Sequence, residues 1–150
     1  MGKWADGPGI LTVAAVGGPR EVPVDGDSLG VPLEIPRGAS LEVPLEVPLE
    51  VAASYRARRR GLLGRDGIAG ALLITPTNSV HTFGMRFAID VAYLDRSLRV
   101  LSVVTMRPGR LGMVRPRGRH VLEAEAGAMA GWGLRPGVSV QVTAGPSRAG

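Results

Sequence analysis

The chain has no cysteine, a single lysine, and only six aromatic residues among 150. Without cysteine there is no disulfide, thiolate nucleophile or cysteine-ligated zinc, and nothing marks an oxidising compartment. No window approaches the ~18 consecutive apolar residues of a membrane span, and the start, Met1-Gly2-Lys3-Trp4-Ala5-Asp6, lacks an apolar run behind a basic end. A cytoplasmic protein with no membrane contact is expected. A metal site is not expected either, because only His81, His120 and scattered carboxylates are available, none at a close ligand spacing. No cofactor motif is present: the glycines at 61, 64 and 67 follow no strand and precede no Gly-Lys-Ser or Gly-Lys-Thr.

Hydrophobic residues at 45% and charged residues at 21% are ordinary for a globular chain, whereas 22 glycines and 12 prolines call for short elements and frequent turns. At this length about 70% of the unfolded chain's surface is buried on folding, enough for one core. The charge is unevenly placed. Residues 1–50 hold three basic and eight acidic groups, whereas residues 51–150 hold fifteen and five, so a net −5 leader precedes a net +10 domain. Seven arginines pass between Arg96 and Arg119 without an acid. Interspersed single arginines usually form a solvated face, so weak, nonspecific nucleic-acid binding is kept as an alternative rather than the main reading.

Strands are expected at 10–16, with a hairpin return at 20–24, and then at 71–75, 87–94, 99–105, 120–125 and 138–143. Residues 41–51, LEVPLEVPLEV, alternate with period two: Leu41, Val43, Leu45, Val47, Leu49 and Val51 share one face, with glutamates and prolines opposite. Pro44 and Pro48 cannot donate to a ladder, which predicts an edge strand, an extended polyproline-like arm being the alternative. Ser54 is placed to cap a short helix through Arg60, with Gly61 as its left-handed stop, and residues 126–132 suit one or two helical turns. Residues 106–117 carry four arginines, two prolines and two glycines and are expected to form a mobile flap. The expected fold is mainly β (α+β): a compact antiparallel sheet or incomplete barrel with one or two short helices. Three segments are expected: a variable leader over 1–48 with its Val-Pro-Leu-Glu repeat, a core domain over 49–143 and a tail over 144–150.

Chemistry concentrates in Val80-His81-Thr82-Phe83-Gly84-Met85-Arg86-Phe87-Ala88-Ile89-Asp90. The imidazole of His81 has the chemistry of a general base, with Asp90 to orient it; their separation in sequence fixes no distance. The competing reading makes His81 a partner of a backbone carbonyl beside Met85 and Phe87, and Asp90 a structural acid paired with an arginine. Arg59 and Arg65, at the end of a short basic helix, present guanidinium groups suited to a carboxylate or phosphate; a structural bridge from Arg65 to Asp90 or Glu123 competes.

The blocks Leu49-Glu50-Val51-Ala52, Arg59-Arg60-Gly61-Leu62-Leu63-Gly64-Arg65, residues 80–90, Val121-Leu122-Glu123 and Gly133-Leu134-Arg135-Pro136-Gly137, in this order, resemble the uncharacterised prokaryotic family called domain of unknown function 192. The resemblance covers about residues 49 to 143 and points to the branch carrying His-Thr-Phe-Gly-Met, with Ala88 where that branch generally has proline. It implies no agreed reaction. The expected function is a small binding or accessory module for an anionic ligand or an acidic protein surface, using Arg59, Arg65, His81, Thr82 and Arg86. The alternative is a metal-independent hydrolase or transferase with His81 and Asp90 as catalytic residues.

Overall fold

A computed structural model describes residues 4–14 and 43–144. Seven strands form one sheet: β1 (Gly7–Val13), β2 (Leu45–Ala52), β3 (Ala71–Ile74), β4 (Ile89–Leu94), β5 (Val100–Met106), β6 (His120–Glu125) and β7 (Val140–Ala144). Their order across the sheet is β5-β4-β6-β3-β2-β1-β7. Five pairings are antiparallel, and β2–β3 is parallel. Two short helices, α1 (Tyr55–Arg60) and α2 (Ala128–Gly131), complete the mainly β fold. The two edge strands approach at one corner, where Arg99 bridges Ser139 and the Val100 amide donates to the Val138 carbonyl, but the sheet does not close into a barrel. No helix among the described residues is long and apolar enough to cross a membrane.

The period-two pattern of residues 41–51 does produce a strand: Val47, Leu49 and Val51 are buried while Glu46, Pro48 and Glu50 face outward. Its position corrects the expectation of an edge strand or extended arm. β2 lies inside the sheet, between β1 and β3. Proline is tolerated there because the β3 ladder begins only at Leu49↔Ala71. The Pro48 carbonyl faces Gly70, just ahead of that ladder. In a strand the N and C=O of one residue point to the same side, so the donor missing at Pro48 falls where no partner strand waits.

β1 arises earlier than expected and fills the gap between β2 and β7. The return strand expected at 20–24 lies outside the described residues. The boundary drawn at residue 48 falls within β2.

Two apolar clusters occupy the two faces of the sheet. On one, Leu11, Leu49, Leu73, Leu94 and Leu122 pack under Met129 and Leu134. On the other, Leu72, Ile74, Val91, Tyr93 and Val121 pack beneath Leu62, Val80 and Met85. Fully burying one such leucine contributes about 2 kcal/mol, so the two clusters together anchor both layers of loops to the sheet.

Candidate functional site

The site grows from β6. Along this strand Val121 and Glu123 point to the face that carries Leu72 and Val91, their cross-strand neighbours, while Leu122 and Ala124 point to the other. Alternation therefore drives a carboxyl into an apolar layer. Glu123 is 3% exposed. Among the described residues no hydrogen bond or ion pair reaches its carboxyl, and burial pushes its pKa up to about 7.

What lies above it is set by α1 and by the segment after β3. Ser54 caps α1 by accepting from the Ala57 amide at 3.1 Å, as the sequence predicts, and Gly61 ends it at a positive φ of 46° but with ψ of −128°, outside the expected left-handed helical well. The last turn carries Arg58, Arg59 and Arg60, whose charges complement the helix's carbonyl end. A cavity of about 80 Å³ opens between this turn and Ser79, Val80 and His81, with Glu123 among its walls. Arg58 donates to the Pro76 carbonyl at 2.9 Å, while its Nε is buried without a partner. Arg59 reaches the Tyr55 hydroxyl at 3.3 Å and lies over the Tyr55 ring.

Of the residues singled out from the sequence, Arg59 and His81 meet in this cavity. His81 is exposed and stacks on Phe83 with ring centroids 5.4 Å apart, rather than bonding a carbonyl beside Met85 and Phe87. Arg65 turns away to a two-pronged pair with Glu50, at 2.5 and 3.5 Å, so the bridge to Asp90 or Glu123 does not form. Arg86 pairs with Asp66 at the surface, 3.1 Å away. Thr82 is fully buried: its hydroxyl donates to the Arg107 carbonyl at 2.6 Å and accepts from the Arg110 amide at 2.9 Å.

Asp90 is buried on the opposite face from Glu123 and has no arginine partner among the described residues, which corrects the expected ion pair. It accepts instead from the Thr105 hydroxyl and from the amides of Gly127 and Met129. A carboxylate is needed here because three donors converge on it. His120 is also buried; it contacts Thr75 Oγ1 at 2.6 Å, and burial holds its pKa below the usual imidazole value.

The segment expected to be a mobile flap is stitched down. The Thr82, Gly109, Gly112 and Arg115 amides bond across to or from residues 78–82 and 110, and His81 bridges Leu111. Frequent Gly and Pro signal irregular backbone, but they carry no information on which neighbouring segment will accept its hydrogen bonds.

Sequence reasoning missed Arg58 and the unpaired state of Glu123. The available signal was phase: Glu123 is a carboxylate at the inward position of an otherwise apolar strand.

The profile of the family DUF192, described as "Uncharacterized ACR", matches residues 37–142. A UPF0127 protein of Pyrococcus horikoshii is 31% identical over 84 residues, covering 53% of this chain and 73% of its own. A second UPF0127 protein, from Pyrococcus abyssi, is 29% identical over 93 residues, covering 59% of this chain and 80% of its own. Among solved structures, a Sinorhizobium meliloti protein described as a proposed transcription regulator superposes with a TM-score of 0.65 at 14% identity, covering 94% of this chain and 98% of its own. A Novosphingobium aromaticivorans protein of unknown function superposes at 0.58 and 17% identity, covering 65% of this chain and 76% of its own. At such identities the two structures establish the fold alone.

Proposed function

We propose, for a chain that belongs to the uncharacterised family DUF192, that it is a binding module whose cavity under α1 captures a small anionic group. The observation that carries this reading is the buried, unpaired Glu123 carboxyl in the wall of a cavity rimmed by Arg58, Arg59 and Arg60. A buried carboxyl without a partner is costly when ionised, so below its raised pKa it is mostly protonated and offers an O–H donor. The partnerless Arg58 Nε supplies a second donor. Two donors beside a basic rim suit a carboxylate or phosphate group. The cavity holds about 80 Å³. That is room for roughly two or three waters at about 30 Å³ each, so it takes a small ion or the anionic end of a longer molecule.

Binding is then linked to protonation of Glu123. Calorimetric titration with sulfate and with acetate, which keep one charge state over this range, at pH 6 and pH 8 should show about tenfold weaker binding at the higher pH, where some nine-tenths of a group titrating near 7 is ionised. Glu123→Gln keeps a donor and should remove that pH dependence. Arg58→Ala should weaken binding at both pH values. If neither anion binds the wild type at pH 6, the reading fails.

A metal-independent hydrolase or transferase is the second reading, favoured by one observation: His81 and Glu123 put two titratable groups on one cavity. General acid–base chemistry uses groups poised near neutral pH. Turnover of nitrophenyl ester or phosphate substrates, lost in both His81→Ala and Glu123→Gln, would select it over pure binding.

A further inference from the structure

β5 is an edge of the sheet, and its seven residues, Val-Leu-Ser-Val-Val-Thr-Met, include no charge and no proline. Edge strands ordinarily carry such residues because bare backbone recruits another strand. Among the described residues, no backbone hydrogen bond leaves the outer side of β5 between Ser102 and Met106. Beside this edge lies a cleft of about 450 Å³ between β5 and the stitched-down segment that follows it. Its apolar walls include Val104, Leu111 and Met113, the last two each 72% exposed. Arg107, Arg110 and Arg115 line the same cleft. Arg115 lies over the Tyr93 ring, 5.2 Å from its centroid, with its Nε buried and unpartnered.

We infer that the free edge of β5 and this basic, apolar cleft dock an acidic, extended peptide segment as an additional strand. Main-chain hydrogen bonds to β5 supply affinity, and alternate side chains of the incoming strand supply selectivity. Its apolar residues on the cleft side cover Val104, Leu111 and Met113, while its carboxylates reach the three arginines. Charge argues against a second copy of this chain. Antiparallel edge pairing would bring Arg107 of one copy toward Arg99 of the other, and parallel pairing would bring Arg107 toward Arg107. No acid lies between Asp95 and Glu123 to relieve either arrangement. A lipid surface would use the arginines and apolar side chains but leaves the β5 backbone unpaired.

The probe is a fluorescent peptide alternating Glu and Val, matched in length to the open stretch from Ser102 to Met106, since Val100 is already bonded to Gly137 and Val138, followed by anisotropy with the full chain. Two N-methylated versions are compared, each blocking one alternate set of amides. The expected result is saturable binding that one methylated version loses and the other keeps, since only one set of amides faces β5. Replacing Arg107, Arg110 and Arg115 together by Ala should weaken it roughly tenfold or more. If that triple variant does not fold, the exposed Arg107→Ala and Arg110→Ala singles make the same comparison. Equal binding by both methylated peptides, or no peptide binding, overturns the inference. So does a silent peptide alongside capture of anionic phospholipid vesicles or duplex DNA, or self-association by sedimentation that Arg107→Ala strengthens.

Discussion

The Asp90 carboxylate on β4 accepts the backbone amide of Met129 at 3.1 Å, and through it the sheet holds α2, a helix of four residues. A helix this short cannot persist on its own hydrogen bonds, so its first turn borrows an acceptor from the strand below. The same oxygen takes the Gly127 amide at 2.9 Å, while the other takes the Thr105 hydroxyl at 2.7 Å. Asp90→Ala strands the buried Met129 amide and takes the acceptor from two more exposed donors, and should cost about 1–3 kcal/mol in urea unfolding. Asp90→Asn should cost less, because its amide oxygen still serves the two backbone donors and the Thr105 hydroxyl is free to turn. An Asn variant as unstable as the Ala variant would mean that charge, not acceptor geometry, is the requirement.

Stability should fall as pH rises through neutrality. Glu123 has its pKa raised from 4.5 to about 7 in the folded state, so the native protein holds this proton more tightly than the unfolded chain. Its contribution is complete below about 4.5 and is lost as pH climbs through about 7, a swing of roughly 3 kcal/mol. His120, depressed by burial, acts in the opposite sense and withdraws stability as pH falls below its ordinary value of 6.5. Urea titrations from pH 5 to 8 on wild type and Glu123→Gln separate the two. The Gln variant should keep the acid-side loss and be free of the alkaline one.

Thr82→Val removes a buried hydroxyl that both donates to the Arg107 carbonyl and accepts from the Arg110 amide. The methyl fills the same space, and the two backbone groups are left unpaired, for an expected loss of about 1–3 kcal/mol. Hydrogen exchange of the Gly109 and Arg110 amides should accelerate much more than that of β6. Uniform acceleration across the sheet would place Thr82 in the global core rather than at the loop.

Two glycines close in sequence should respond oppositely to alanine. Gly70 has φ of 95°, and a methyl group there would run into the Pro48 carbonyl, so Gly70→Ala should cost well over about 1 kcal/mol. Gly67 has open space around it and needs no left-handed backbone. Gly67→Ala should be neutral or stabilise by up to about 1 kcal/mol, through the lower entropy of the unfolded chain. Equal melting temperatures for the two variants would contradict the close approach of β2 to the turn before β3.

Tyr93 packs its hydroxyl against Gly112 with no hydrogen-bond partner, and burial raises its pKa. Removing a polar atom that has already lost its water and gained nothing should help. Tyr93→Phe is expected to leave stability unchanged or raise it by about 1 kcal/mol, read from the denaturation midpoint. A loss of more than that would reveal an unrecognised partner of the hydroxyl.

Local features were legible in the sequence because their causes are local. Apolar runs between turns placed β3 to β7 to within two residues, period-two alternation found β2 although it begins at Leu45 rather than Leu41, and Ser54 and Gly61 bounded α1, since a cap and a glycine stop act within one turn. The burial of Asp90 was likewise readable from Ile89 and Val91 beside it. Tertiary structure alone decided who neighbours whom. Pro48 sits in an interior strand because β3 begins one residue too late to need its missing amide. Arg65 meets Glu50, and Asp90 meets the amides of α2, because strands distant in sequence set those distances. Glu123 shows the division most plainly. Alternation along β6 dictated that its carboxyl point inward, but only the folding of α1 and residues 79–81 over that face left it unpaired in a cavity lined by arginines. A strand's periodicity is a property of its own backbone, whereas a cavity is what several segments fail to fill.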